Sequence, residues 1–149
     1  MMVRYYEDFA VGESWTFGTR EVTADEIQEF AREYDPQPMH VDSEAAAEGP
    51  FDGLIGSGWH TAALSMRLLV DGLFEDAAGR GGLGVDDLEW RTPLRPGDEL
   101  TVDVEVIETS AFDDDRGQID FAVRTTTQDD QEVLSMVVKG LFARRDDQQ

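Results

Sequence analysis

Cysteine is absent and histidine is nearly so. Without cysteine there is no disulfide, no thiol nucleophile and no Cys-ligated zinc or iron–sulfur site. Two histidines, His40 and His60, are too few for a poly-His metal cage. Positive charge is scarce as well. Against 33 acidic residues stand 12 basic ones, for a net charge of −21, and lysine occurs once, at Lys139. A surface of that sign repels nucleic acid and anionic membranes. No apolar run reaches the roughly 18 residues a membrane helix needs. The segment Met1 to Asp8 carries two acids and lacks the apolar core of a signal peptide. A cytoplasmic protein is expected.

What is present argues for a folded chain. Apolar residues make up 40% of the sequence, and the aromatics are spread along it, which sets it apart from an acidic disordered chain. At 149 residues, with no repeat or linker, residues 1–149 read as one domain. The acids form no single tail. Their densest runs, Asp113-Asp114-Asp115 and Asp129-Asp130, have the look of hairpin tips. Dominance of Asp and Glu, with arginine almost wholly replacing lysine, fits adaptation to high salt, where screening removes the self-repulsion.

The patterning predicts a strand over Trp15–Arg20. A capping box, Thr23-Ala24-Asp25-Glu26, then opens a helix that carries Ile27, Phe30, Ala31 and Tyr34 at helical spacing. Pro36 and Pro38 forbid its continuation, so Asp35–Asp42 reads as a stiff loop, followed by a short helix over Ser43–Ala47. A longer helix is expected from Ser57 to about Phe74. It is apolar almost all round, with Arg67 and Asp71 as a narrow polar stripe, and such a helix is buried. Four strands follow, over 83–91, 99–109, 118–127 and 132–143, read as a meander with a turn at Pro96-Gly97-Asp98. The fold class is α+β, one antiparallel sheet curled around one long central helix.

Two clusters could carry chemistry. In Asp35-Pro36-Gln37-Pro38-Met39-His40 an aspartate and a histidine stand five residues apart, with two prolines stiffening the chain between them. A neutral imidazole is a natural general base near pH 7, and a nearby carboxylate can orient a water or return a proton. The alternative is a turn-capping aspartate and a structural histidine. The second cluster, Gly53 to His60, puts glycines before and inside the first turn of the long helix. Free amides at such a helix start can serve a developing oxyanion, or the glycines can simply allow tight packing.

Together these features resemble a known family, the MaoC-like dehydratases and R-specific enoyl-CoA hydratases of the hot-dog fold. The resemblance runs from Tyr6–Gly12 through Val22-Thr23 and the Asp35-x4-His40-x-Asp42 loop. It continues through Phe51-x-Gly53-x-Ile55 and Gly58 to Arg95-Pro96-Gly97-Asp98. It implies catalytic roles for Asp35 and His40 and an oxyanion role for the backbone N–H of Gly58. The implied reaction is reversible hydration of an enoyl-CoA to a 3-hydroxyacyl-CoA, with His40 as base and Asp35 as orienting and proton-donating partner. No metal or redox cofactor is implied; CoA enters as the substrate's carrier.

Ser57, Trp59, His60, Arg91 and Arg95 are further candidates for substrate contact. Trp59 and Trp90 would wall the acyl tunnel or the core, and Arg67 is expected to pair with an acid. Two departures stand out: Gln37-Pro38 replaces the usual Asn-Pro, and Ser57 replaces the usual His before the helix glycine. The serine that often supports the site falls by offset at Met66, with Ser65 adjacent. The resemblance also implies a homodimer joined sheet edge to sheet edge. The acidity suggests a salt-adapted, haloarchaeal-type member. A hot-dog thioesterase and a non-catalytic acyl-thioester-binding module are the competing readings.

Overall fold

The computed structural model describes residues 2–145. After a 3-10 turn at Tyr6–Asp8 come β1 (Ser14–Glu21), α1 (Ala24–Tyr34), α2 (Pro38–Val41), α3 (Ser43–Glu48) and α4 (Gly58–Gly72). A second 3-10 turn at Phe74–Asp76 leads to β2 (Gly79–Glu89), β3 (Glu99–Ala111), β4 (Arg116–Thr126) and β5 (Glu132–Ala143). The strands form one antiparallel sheet in the order β1-β3-β4-β5-β2. It curls around α4, which is the α+β hot-dog arrangement. Among the described residues no helix is long and apolar enough to cross a membrane.

The expected four-strand meander needs correction. Only β3, β4 and β5 follow one another; β2 pairs with β5 at the far edge, and β1 occupies the other side of β3. The connection from Trp90 to Asp98 holds Pro93 and Pro96 and is too long for a tight hairpin, so it returns across the end of the sheet. The turn at its end is real: Gly97 has φ +88, a conformation glycine adopts freely.

A second correction concerns the loop after α1. Pro38 does not prevent a helix there but starts one, occupying the first turn of α2, where its missing N–H costs nothing. At the α1 start, Thr23 Oγ1 accepts from the Glu26 amide as expected. Glu26 also accepts from the Thr23 hydroxyl (3.2 Å) and from the Arg20 guanidinium.

The core lies between α4 and the concave face of the sheet. Val102, Val104 and Val106 alternate inward on β3, and Ile119, Phe121 and Val123 do so on β4. Leu64, Leu68 and Leu69 meet them from α4. Phe9, Phe74, Phe121 and Phe142 close one end, with ring centroids 4.9–5.9 Å apart. Burying each such side chain contributes roughly 1.5–3 kcal/mol. The sheet covers only one side of α4. Trp59, Ala63, Arg67 and Val70, one turn apart along the helix, stay exposed, as do Leu83 and Val85 on the β2 edge. Arg67 pairs with Asp71 at 2.9 Å, as expected.

Across the convex face runs a line of polar contacts. Thr16 on β1 donates to Asp103 on β3; Arg124 on β4 joins Asp103 to Glu132 on β5; Arg91, beyond β2, joins Glu132 to Glu89. These groups line a surface cavity of about 570 Å³. Exposed pairs of this kind contribute about 0–1 kcal/mol each.

Candidate active site

The site forms where the C-terminus of α1, the short α2 and the N-terminus of α4 converge. Asp35 is the residue that ends α1, its amide closing on the Ala31 carbonyl at 2.8 Å. His40 lies on α2 and is 5% exposed. Its Nδ1 sits 2.7 Å from the Ile55 carbonyl oxygen. A carbonyl only accepts, so Nδ1 carries a hydrogen, and Nε2 faces Asp35 Oδ2 at 3.4 Å. Holding one ring nitrogen on a backbone acceptor fixes both tautomer and ring orientation.

Asp35 is held on both oxygens. Gln37 Nε2 donates to Oδ1 at 2.6 Å, and the Ser57 hydroxyl donates to Oδ2 at 2.7 Å. These donors, Gln37 first and then Ser57, hold its pKa below the usual carboxylate value, with a smaller contribution from His40. Asp35 is therefore ionised across the physiological range.

Gly58 is the first residue of α4. Ser57 Oγ accepts the Trp59 amide, and the Ser57 carbonyl accepts those of His60 and Thr61. That leaves the Gly58 N–H as the first-turn donor with no acceptor among the described residues, at the positive end of the helix dipole. A β-carbon here would collide with the Trp90 indole, so glycine serves the packing as well as the approach of a ligand. His40, Phe51, Gly58, Thr61, Trp90 and Leu94 line a common cavity of about 330 Å³. The cavity thus joins the His40 imidazole and a free backbone donor; the fixed Asp35 carboxylate stands beside the imidazole but is not part of the lining.

The other candidates are distributed differently. Ser57 is 0% exposed with its hydroxyl committed to Asp35, so it offers nothing to a substrate directly. Trp59 projects from the first turn of α4 and meets the Trp90 ring edge-to-face at 5.2 Å. His60 turns the other way. It stacks on Phe30 at 4.5 Å, and its buried Nδ1 has no partner among the described residues. Arg91 reaches the cavity wall but binds Ser135 and pairs with Glu89 and Glu132. Arg95 donates to the Phe51 carbonyl at 2.8 Å and has no acidic partner within ion-pair distance among the described residues. Ser65 is buried, donating to the Thr61 carbonyl and bonded to Thr125 on β4. Met66 lines a separate apolar cavity with Phe74, Val138 and the β2 glycines. Sequence reasoning missed the carboxylate-holding parts played by Gln37 and Ser57, and the Ile55 carbonyl, which no side-chain motif signals.

The chain is 32% identical over 137 residues to an uncharacterized Bacillus subtilis protein, YdeM, covering 89% of this chain and 97% of that one. It is 33% identical over 110 residues to a 3-hydroxybutyryl-CoA dehydratase of Methylorubrum extorquens, covering 72% and 67% respectively. The crystal structure of a MaoC-like dehydratase from Rhodospirillum rubrum superposes with a TM-score of 0.86 at 39% identity, over 95% of this chain and 98% of that one. The family described as MaoC like domain matches residues 8–130, the span that carries the pair, the helix glycine and most of the sheet, and the chain belongs to that family.

Proposed function

We propose that this chain is a hydro-lyase that adds water reversibly across the double bond of a trans-2-enoyl thioester, with CoA as the carrier. The observation that carries the reading is the pair itself. When His40 is neutral, Nε2 and Asp35 Oδ2 are both acceptors 3.4 Å apart. A water donating one hydrogen to each satisfies both and is held by both. The thioester carbonyl accepts from the Gly58 amide, which draws electron density from the conjugated alkene. The water oxygen bonds to the β-carbon while His40 Nε2 takes its proton, and the π electrons move onto the thioester oxygen as an enolate. The imidazolium, paired with ionised Asp35, then returns the proton to the α-carbon. Its low pKa makes Asp35 the orienting and charge-balancing partner rather than the proton donor.

Arg95, which has no acidic partner among the described residues and lies beside the cavity wall, is the candidate for a CoA phosphate. The uncovered β2 edge and the exposed α4 stripe support a homodimer joined through β2, which would remove an open sheet edge.

The test is a panel of enoyl-CoAs of different chain length and branching, assayed for loss of enoyl absorbance at several salt concentrations. Hydration of at least one, lost in Asp35→Asn and His40→Ala, is the expected result. Thiol release from saturated acyl-CoA without hydration would assign a thioesterase instead.

A further inference from the structure

The hydroxyl of Ser57 holds two parts of the site at once. Ser57 precedes α4 with φ −61 and ψ 141, and its Oγ accepts the Trp59 amide at 3.3 Å, the usual work of a helix N-cap. The same oxygen donates its one hydrogen to Asp35 Oδ2 at 2.7 Å, across 22 residues of sequence. The direction is fixed, because an ionised carboxylate only accepts. Oδ2 is also the oxygen that faces His40 Nε2. The residue after Ser57 is Gly58, which carries the free amide.

We propose that Ser57 is a positioning residue: its hydroxyl ties the first turn of α4, and so the Gly58 amide, to the Asp35 oxygen that faces His40. It sets the separation between the water-holding pair and the oxyanion donor. The proposal rests on the hydratase reading for its kinetic consequence, but the link itself is a property of the resting protein. Without the hydroxyl, Asp35 keeps only the Gln37 donor on Oδ1. The carboxylate is then free to turn, which moves Oδ2 away from the place where it and His40 Nε2 together hold a water. A misplacement of that size lowers the rate constant while leaving binding largely intact. Ser57 has no exposed surface with which to touch substrate, so KM is expected to stay near its original value.

The experiment separates this tie from simple helix capping. Glycine serves nearly as well as serine at an N-cap, whereas alanine does not. Ser57→Gly therefore removes the hydroxyl and leaves the cap close to intact, Ser57→Ala removes both, and Ser57→Thr keeps both. In carboxyl-¹³C-labelled aspartate spectra, the Asp35 resonance is identified by its loss in Asp35→Asn and titrated. His40 on α2 is the titratable group that faces Asp35, and Gln37 and Ser57 are its other polar neighbours, so His40 is followed in parallel. The expected result is an upward shift of the Asp35 midpoint in both the Gly and Ala variants, with the original midpoint in the Thr variant. It is accompanied by a fall in kcat of about 10- to 100-fold in Gly and Ala with little change in KM.

A Gly variant with an unmoved Asp35 midpoint, or with a moved midpoint and an unchanged kcat, overturns the proposal. If the original protein hydrates no enoyl thioester, the hydratase reading fails, and the titration still decides whether Ser57 ties α4 to Asp35.

Discussion

The two histidines are buried to the same degree, 5% and 6% exposed, yet their surroundings are opposite. His40 has both ring nitrogens engaged, one by the Ile55 carbonyl and one opposite Asp35, and it borders a cavity. His60 lies flat on Phe30, with Nδ1 unpartnered among the described residues. Burial lowers its pKa, with Glu26 opposing and Arg20 adding to the effect. Depth alone therefore says nothing about function. A polar frame that fixes tautomer and direction is what the proposed base has and what the flat filler between two helices lacks.

Breaking the frame at its centre has the largest expected effect. Asp35→Asn and His40→Ala each lower hydration by about 10³-fold or more while circular dichroism stays unchanged. Removing one outer support costs less. Gln37→Ala lowers kcat by about threefold to tenfold and raises the midpoint of the Asp35 carboxyl titration, because Gln37 is the largest contributor to the low Asp35 pKa.

The opposite outcome is expected on the other side of the comparison. His60→Phe keeps kcat within about threefold but changes how stability depends on pH. The folded protein binds a proton at His60 less readily than the unfolded chain does. Its contribution is present in full above about pH 6.5 and is lost as pH falls through the lowered folded value. Thermal unfolding followed from pH 7.5 to 5 should thus fall less steeply in the variant. A steep fall in both would show that the burial of His60 does not govern this range.

The smallest effect concerns neither histidine. Arg95→Ala is expected to raise KM for a CoA thioester a few-fold, but not for the same acyl group on a short carrier without phosphates, and the difference should shrink in concentrated salt.

Part of the fold and of the candidate site was legible in the sequence, for identifiable reasons. Asp35, His40 and Gly58 were singled out by the family resemblance, because their spacing and the helix start also fit a turn-capping aspartate, a structural histidine and a packing glycine. The α1 boundaries followed from Thr23 and from helical spacing, and β5 matched its predicted span. The position of β2 was not legible, because period-2 patterning marks a strand without naming its neighbour. The role of Ser57 was hidden by the 22 residues that separate it from Asp35. The two histidines looked alike in sequence because what separates them is a backbone carbonyl and an aromatic face, each brought in from another segment.

The contact between Trp90 and Gly58 also gives the protein an optical reporter. The chain has three tryptophans, and two of them, Trp59 and Trp90, stand edge-to-face, with the Trp90 indole packed against Gly58. Gly58 and Trp90 line the same cavity, so a thioester carbonyl arriving at Gly58 comes close to the Trp90 ring. Near-ultraviolet circular dichroism and indole emission should therefore register occupancy directly, including that of unreactive analogues which no turnover assay can detect.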